Sequence, residues 1–330
     1  MLRVKTTKRL IINLVFLFLI KNIVAQNNTI KTINRINNYL LTSEQNGFSG
    51  AVLIAKENKI LLNKGYGFAD KTKQIKNTPN TVFDIGSVTK QFTAAAILKL
   101  EEQGKLKVTN PVSIYFDNVP NDKKNITIHQ LLTHTAGFIH DVGESDFDMI
   151  PTKEYFKLVM SSKLLFIPGE KFEYTNVGYS LLARIIELVS KQPYETYLNK
   201  NLFEPLKMFQ TGYLLPKWND ISIAKGYMYN VIDKGTSIDL HKKNRKVSWC
   251  LKGNGGIQST QEDMYKWYKA LSSNKILSEL SVAKLTRPYV LEYEGGKSYY
   301  AYGWAIFNSI RNTKMIAHDG SDGTFFYDFR

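Results

Sequence analysis

A single cysteine, Cys250, occurs in the 330-residue sequence, so the chain cannot form an internal disulfide bond. Its neighbours are Trp249 and Leu251 rather than a histidine, and we expect a buried structural residue instead of a reactive thiol. Internal repeats and low-complexity tracts are also absent. These absences predict a folded globular protein, long enough for one domain of two lobes or for two domains.

The apolar run Leu10–Ile20 is too short to predict a membrane-spanning helix. Four basic residues precede this run, and Ala25 ends a stretch that is typical of a cleavage site. We therefore predict that residues 1–25 are a signal peptide and that the mature chain is exported, to the periplasm or the cell exterior. No cysteine lies near the cleavage site, which argues against a lipid anchor. An uncleaved N-terminal segment that anchors the protein is the alternative.

The formal net charge is +15, and residues 1–25 contribute five basic and no acidic side chains, which leaves +10 for the mature chain. This balance favours anionic surfaces such as cell-wall polymers or lipid headgroups, although a charged soluble surface is the simpler explanation. No segment resembles a nucleic-acid-binding module, so nucleic acid is not an expected partner. We predict no cofactor, and the sequence leaves the oligomeric state open.

Hydrophobic periodicity divides the chain into β-rich ends and a mainly helical middle. The N-terminal part is predicted to contain a helix at 28–44 and a hairpin with strands 48–55 and 59–68. Helices are predicted at 127–133, 153–160 and 177–191, and a further one begins at a Ser259/Glu262 capping box and runs to Leu271. Strands are predicted at 299–307, 313–317 and 324–329. Residues 214–249 show no strong period. The predicted fold class is α/β (α+β), with one antiparallel sheet formed by residues 26–86 and 250–330 and a helical part at 87–249.

The segment Ser87–Lys90 is the most informative one for chemistry. A helix predicted over Val88–Gln103 and closed by Gly104 places Ser87 at its N-terminus, with Lys90 about one turn away on the same face. Backbone N–H groups there could stabilise an oxyanion, and the amine could remove the serine proton. The spacing alone is weak, because a helix cap and a solvated lysine also explain it. It recurs at Ser222/Lys225, Ser272/Lys275 and Ser281/Lys284.

Tyr174 and Asn176 precede the helix predicted at 177–191. One interpretation is structural: Asn176 caps that helix and Tyr174 packs beneath it. The other is functional: the phenol shuttles protons with Lys90, and the Asn176 amide binds a substrate carbonyl.

The segment His318-Asp319-Gly320-Ser321 follows a short predicted strand. It is either a β-turn, to which Asp-Gly is well suited, or part of a substrate site. In the second interpretation Gly320 gives the substrate room, and the Ser321 N–H joins that of Ser87 as a second oxyanion donor.

In chain order, Ser87-x-x-Lys90, Tyr174-x-Asn176 and His318-Asp319-Gly320 resemble the motif set of the serine β-lactamase and penicillin-binding-protein superfamily. The segments 47–50, 131–137 and 255–260 resemble its branch of class C β-lactamases, D-alanyl-D-amino-acid peptidases and related esterases. The resemblance implies a β-lactamase/transpeptidase-like fold. It also implies an exported serine hydrolase of peptidase or esterase type, whose substrate is a D-amino-acid peptide, a cell-wall fragment or a small ester.

The resemblance also implies a role for each motif residue. Ser87 would attack an acyl carbonyl and form an acyl-enzyme that water then releases. Lys90 and Tyr174 would act as general bases in acylation, and Tyr174 would activate the deacylating water. Asn176 would position the substrate, and His318 would line the opposite wall.

Two features depart from the family pattern. Class C β-lactamases have a lysine at the position of His318, where it helps to bind the substrate carboxylate, so efficient β-lactam hydrolysis is not expected. The family's last strand and C-terminal helix have no counterpart before Arg330, which would expose sheet edges. The alternative function is therefore a catalytically impaired relative that binds cell-wall peptides or partners.

A metal hydrolase that uses His129, His134 and His140 is a third hypothesis. It is disfavoured because no His-Glu-x-x-His pattern occurs, and because two of these histidines lie in or beside the segment 131–137 that resembles the superfamily. We therefore predict no metal site.

Overall fold

A computed structural model describes residues 26–218 and 223–330. The predicted signal peptide and Ser222 of one Ser-x-x-Lys match lie outside the described residues. In the described part of the chain, no helix is both long and apolar enough to cross a membrane. The chain divides into two compact units between Pro79 and Asn80, and the second unit contains every candidate site residue.

The first unit contains helix α1 (residues 26–45) and two short antiparallel sheets. The strands of these sheets, paired in chain order, are β1 (Gly50–Lys56), β2 (Lys59–Tyr66), β3 (Phe68–Asp70) and β4 (Ile75–Lys76). The β1–β2 turn uses Glu57 and Asn58, whose φ angles of 51° and 61° suit the type I′ geometry of a two-residue hairpin. The predicted helix and hairpin are confirmed.

The helices of the second unit largely follow the predicted periodicity. They are α2 (Thr89–Glu102), α3 (Ile128–Leu132), α4 (Thr152–Ser161), α5 (Asn176–Ser190), α6 (Tyr194–Leu198), α7 (Ser237–Asn244), α8 (Gln261–Ser272) and α9 (Glu279–Leu285). The prediction for α8 was wrong by one residue, because Thr260 rather than Ser259 is the N-cap and accepts the Asp263 N–H. The stretch 214–249, which showed no strong period, contains α7 and a short hairpin.

Helix α2 lies within the hydrophobic core instead of on its surface. Most of its side chains are buried, and Phe92 makes edge contacts with Phe203 and Trp267, at ring-centroid distances of 5.0 and 4.8 Å. The helix ends at Glu102, Gln103 is its C-cap, and Gly104 follows with φ +68°, in agreement with the predicted glycine stop. Because α2 is enclosed, a lysine at its first turn is removed from water.

The late strands form a five-stranded antiparallel sheet in the order β13-β12-β11-β10-β9. The strands of the second unit are β5 (Phe83–Asp84), β6 (Tyr227–Met228), β7 (Ile232–Asp233), β8 (Gln258–Ser259), β9 (Val290–Leu291), β10 (Tyr299–Tyr300), β11 (Ala305–Asn308), β12 (Lys314–Ser321) and β13 (Phe326–Phe329). The single strand predicted at 299–307 is divided at Gly303, which has φ +77°. A Cβ there would lie 2.9 Å from the Lys90 carbonyl oxygen, so the turn packs closely against α2.

The prediction of one sheet built from residues 26–86 and 250–330 was wrong in its pairing. The structure pairs β1 with β2 in a two-stranded sheet, and the five-stranded sheet uses strands after residue 289. A smaller pair, β5 with β8, joins an early strand to a later one. Alternating hydrophobicity predicts a strand but not its neighbour, because the ladder bonds use backbone groups that every non-proline residue carries.

Candidate active site

Ser87 lies in a 3-10 turn, Gly86–Val88, that leads directly into α2. The Asp84 carboxylate holds this turn: one oxygen accepts the Gly86 N–H at 2.7 Å and the other accepts Gln258 Nε2–H at 2.7 Å. Gly86 has φ +50°, a conformation that costs glycine little. The turn leaves the Ser87 side chain half-buried at the edge of a cleft.

The Lys90 amine is fully buried and has three oxygen neighbours. Its Nζ lies 3.0 Å from Ser87 Oγ, 2.9 Å from Asn176 Oδ1 and 2.8 Å from the Asn254 carbonyl oxygen. The last two oxygens can only accept, so a neutral amine donates its two N–H groups to them and keeps its lone pair for the Ser87 hydroxyl proton. This is the arrangement that a general base requires.

Burial lowers the pKa of Lys90 to about 7, although the carboxylates of Asp141 and Asp146 act in the opposite direction. At neutral pH a large fraction of the amine is therefore unprotonated. A solvated lysine stays almost wholly protonated at this pH. The enclosure of α2 thus supplies the base that the sequence spacing alone did not establish.

Tyr174 and Asn176 are two further motif residues close to the Lys90 amine. The Lys90 Nζ is 4.7 Å from the centroid of the Tyr174 ring. Burial raises the pKa of Tyr174 above its usual range, and the nearby Ser87 hydroxyl only partly opposes this. Tyr174 is consequently a neutral phenol at physiological pH. Asn176 does not cap α5, since the Thr175 side chain does so by accepting the Gly178 N–H at 3.1 Å.

The end of β12 lies against the Ser87 turn. Strand β12 pairs with β11 up to Ala317. From His318 onward it pairs with β13, which lies along the opposite edge of β12. A Cβ on Gly320 would lie 2.7 Å from the Ser87 nitrogen, and one on Gly86 would lie 2.6 Å from the Ser321 nitrogen. Only glycines allow this approach. The β-turn interpretation of residues 318–321 was wrong, because they are strand residues.

The ladder register also sets the direction of the Ser321 N–H. Asp322 N–H donates to the Phe325 carbonyl, so the preceding pair, Ser321 with Phe326, is a non-hydrogen-bonded one. The Ser321 N–H therefore points away from β13, toward the edge that the Ser87 turn occupies. The fold therefore brings together the two backbone nitrogens that were predicted as oxyanion donors, those of Ser87 and Ser321.

His318 is buried behind the cleft, at 6% exposure. Its Nδ1 lies 2.6 Å from the Asp319 carbonyl oxygen and must donate to it, so Nε2 accepts the Tyr300 hydroxyl at 2.9 Å. Burial and the nearby Lys90 lower the pKa of His318 to about 4. The imidazole is therefore neutral at pH 7 and offers no positive charge to a substrate carboxylate.

The cleft beside Ser87 is open to solvent. Ser87, Asn176 and Ser321 line it, whereas Lys90, Tyr174 and His318 are not among its lining residues. Three carboxyl groups also line it, those of Asp84, Asp146 and Asp322, and none of its lining residues is a lysine or arginine. The acidic lining was not predicted, because those residues are far apart in the sequence.

Sequence reasoning also missed the part played by Asn254. Its side chain donates to the Ser180 hydroxyl and to the Cys250 carbonyl, at 3.0 and 2.9 Å, which fixes the backbone so that its own carbonyl meets Lys90. The neighbouring glycines predicted a tight turn. They could not predict a backbone hydrogen-bond acceptor, because every residue has a backbone carbonyl. Cys250 is a free, buried thiol, as predicted.

The three histidines of the metal hypothesis have separate partners. His129 Nδ1 meets the Tyr302 hydroxyl at 2.7 Å, His134 is stacked among tyrosines, and His140 pairs with Asp141. In residues 26–218 and 223–330, no group of three or more histidine, cysteine, aspartate or glutamate residues is arranged to hold a metal ion.

Comparison with known proteins identifies the family. A family profile described as "Beta-lactamase" matches residues 23–328. The chain belongs to the beta-lactamase family. It is similar to PbpX of Bacillus subtilis (strain 168), with 35% identity over 282 residues, which are 84% of this chain and 67% of PbpX. The predicted superfamily and its β-lactamase/transpeptidase-like fold are thereby confirmed.

This beta-lactamase family member is also similar to a staphylococcal protein and to a penicillin-binding protein homologue of known structure. Protein flp of Staphylococcus aureus (strain COL) is 38% identical over 189 residues, 54% of this chain; the match spans 37% of flp, little more than a third of its length. The solved structure of an octameric penicillin-binding protein homologue from Pyrococcus abyssi superposes with a TM-score of 0.76 at 26% identity, covering 90% of this chain and 69% of that one.

Proposed function

We propose that this protein is a serine acyl hydrolase that cleaves an amide or ester bond through an acyl-enzyme on Ser87. One observation carries the proposal: a fully buried Lys90 amine lies 3.0 Å from the Ser87 hydroxyl and finds acceptors for its N–H groups in Asn176 and Asn254. A neutral amine held in this way is a competent general base at neutral pH.

The reaction begins when Lys90 takes the Ser87 proton as Oγ attacks the substrate's acyl carbon. Negative charge then develops on the carbonyl oxygen, where the backbone N–H groups of Ser87 and Ser321 stabilise it. The proton passes from Lys90 to the leaving oxygen or nitrogen, and the C–O or C–N bond breaks. The neutral Tyr174 phenol, within hydrogen-bond reach of Ser87, relays this proton as a donor rather than as a resting phenolate.

The charge of the cleft limits the substrate class. His318 is neutral, Asp146 and Asp322 line the opening, and the cleft lining offers no cation to a free carboxylate. A β-lactam carries such a carboxylate, so its hydrolysis is slow. Among the predicted substrate classes, which are D-amino-acid peptides, cell-wall fragments and small esters, this charge favours those that bring no free carboxylate into the cleft. We propose that the reaction takes place outside the cytoplasm, where cell-wall substrates occur; the signal peptide predicted from the sequence supports this.

A second function is favoured by the state of Tyr174. Deacylation needs a base for the incoming water, and burial keeps this phenol protonated. In hydrolysis the Lys90 amine, neutral again once its proton has passed to the leaving group, takes a proton from the incoming water and the acid product leaves Ser87. If Lys90 does not reach that water, Ser87 is acylated but not released, and the protein acts as a covalent binder of cell-wall peptides.

Intact-mass measurement after exposure to a fluorophosphonate, with peptide mapping, tests the proposal. An adduct on Ser87, absent in S87A, supports an activated nucleophile. Mass spectra after exposure to small esters then separate turnover from a persistent acyl-enzyme. A cooperatively melting sample without any adduct refutes the acyl-enzyme.

A further inference from the structure

His134 lies just after α3 in a left-handed conformation, with φ +56° and 1% exposure. Its backbone carbonyl accepts the Glu173 N–H at 2.9 Å, and its Nδ1 accepts the Thr175 N–H at 3.1 Å. One residue therefore makes hydrogen bonds immediately before and immediately after Tyr174. These two bonds fix the direction in which the Tyr174 side chain leaves the backbone.

The imidazole also contacts the Tyr174 ring directly. The two ring centroids are 4.3 Å apart with an interplanar angle of 33°. Tyr300 and Tyr179 pack around the same imidazole, at centroid distances of 4.7 and 5.1 Å. The phenol is thus confined between the His134 ring and the Lys90 amine, which lies 4.7 Å from its centroid.

The hydrogen bonds specify the protonation state of His134. A backbone N–H can only donate, so Nδ1 must be unprotonated and the neutral ring carries its proton on Nε2. That Nε2 has no hydrogen-bond partner in the described residues. The ionisable groups around it are Lys90, His318, His140 and the three tyrosines Tyr174, Tyr179 and Tyr300. Burial, followed by the charges of Lys90, His318 and His140, lowers the pKa of His134, so the acceptor persists across the working pH range.

We propose that His134 is a positioning residue for the reaction at Ser87: its Nδ1 and carbonyl hold the backbone of residues 173–175 so that the Tyr174 hydroxyl meets Ser87. This inference rests on the proposed function, because it assigns a purpose to the phenol in acyl transfer. Packing alone needs the ring but not the acceptor. The acceptor at Nδ1 is what distinguishes a positioning role from a merely structural one.

Two substitutions separate the acceptor from the ring. In H134N the Asn Oδ1 occupies nearly the place of Nδ1, and asparagine tolerates a positive φ. In H134F the ring is kept and the acceptor is lost. The measured quantity is the second-order rate constant for fluorophosphonate labelling of Ser87. We expect H134N within about fivefold of the wild type and H134F lower by about 10²-fold, the low end of general acid–base contributions.

A control comes from His129, a neighbouring histidine whose Nδ1 partner is the Tyr302 hydroxyl. H129F removes a comparable hydrogen bond outside the Ser87 site, so its labelling rate should stay within about twofold of the wild type. A double-mutant cycle with Y174F gives the second readout. If His134 acts through Tyr174, H134F has little further effect in the Y174F background, whereas a general structural loss lowers both backgrounds equally.

The outcomes distinguish the two levels of inference. An unlabelled, folded wild type refutes the proposed function itself. A labelled wild type with an equally fast H134F refutes only the role of His134, and so does a more than tenfold loss in H134N. If H134F does not melt cooperatively, H134Q replaces it, because the Gln amide extends past the Nδ1 position. If neither H134F nor H134Q folds, the labelling rate of H134N still tests the role of His134, because a more than tenfold loss refutes it.

Discussion

The segments Ser87–Lys90 and Ser281–Lys284 have the same spacing; the first leads into α2 and the second lies within α9. Lys284 is 47% exposed and pairs with Glu101 at 2.7 Å, whereas Lys90 is fully buried and lies beside the Ser87 hydroxyl. One segment therefore contains an ordinary surface ion pair and the other a serine with a neutral base. Three-residue spacing brings the two side chains to one face of a helix, but burial decides their chemistry.

The serines differ as much as the lysines. Ser281 belongs to a helix cap, since its N–H donates to the Ser278 hydroxyl oxygen at 3.2 Å. Ser87 lies in a turn that is held by Asp84, and it faces an open cleft. Ser281 thus takes part in a helix cap through its backbone, whereas Ser87 presents its hydroxyl to a cleft.

The largest expected effect is the loss of acylation in S87A. Without Oγ no acyl-enzyme forms, so the fluorophosphonate adduct and all ester turnover should disappear. The melting temperature should hardly change, because a half-buried hydroxyl is removed without leaving a cavity. S281A is the matched control and should label like the wild type. Turnover retained in S87A would refute the nucleophile assignment.

K90A should slow acylation by about 10²–10⁴-fold, the usual contribution of a general base. K284A has the same spacing from its serine but belongs to a surface ion pair, so its labelling rate should match the wild type. Labelling rates measured on samples with checked thermal melts test this. A wild-type rate in K90A would remove Lys90 from the mechanism.

The acylation rate should rise with pH. The base is the unprotonated amine, and the pKa of Lys90 in the folded protein is about 7, so the rate increases as the proton leaves and levels off above that value. Labelling rates between about pH 5.5 and about pH 9 should follow a single titration near 7. A rate that is flat across this range, or that falls as pH rises, would contradict the assignment of the base.

The smallest effect concerns the surface pair. K284A breaks a partly exposed ion pair with Glu101, and such pairs contribute about 0.5 kcal/mol to the free energy of unfolding. Urea unfolding should show this loss at low salt and little of it in about 1 M NaCl, where charges are screened. A loss of several kcal/mol would mean that Lys284 is buried in solution, and the comparison with Lys90 would fail.

Local sequence patterns correctly predicted the features that depend on interactions between residues close together in the sequence. The helix that carries Lys90, its end at Gly104 and the hairpin with its turn at Glu57 and Asn58 follow from periodicity and turn chemistry. The break at Gly303 and the strand identity of residues 318–321 were missed, because both arise from close packing against the Ser87 turn and α2. Such contacts join residues that are more than 200 positions apart.

The sequence by itself determined the members of the candidate site, their order along the chain and the family that they indicate. Only the tertiary structure decided that the Lys90 amine is a neutral base, and which side chains set its state. The carbonyl of Asn254, the hydrogen bonds that His134 makes on both sides of Tyr174 and the neutrality of His318 all come from the fold. The physical reason is that a pKa and a hydrogen bond depend on desolvation and distance, which exist only once the chain has folded.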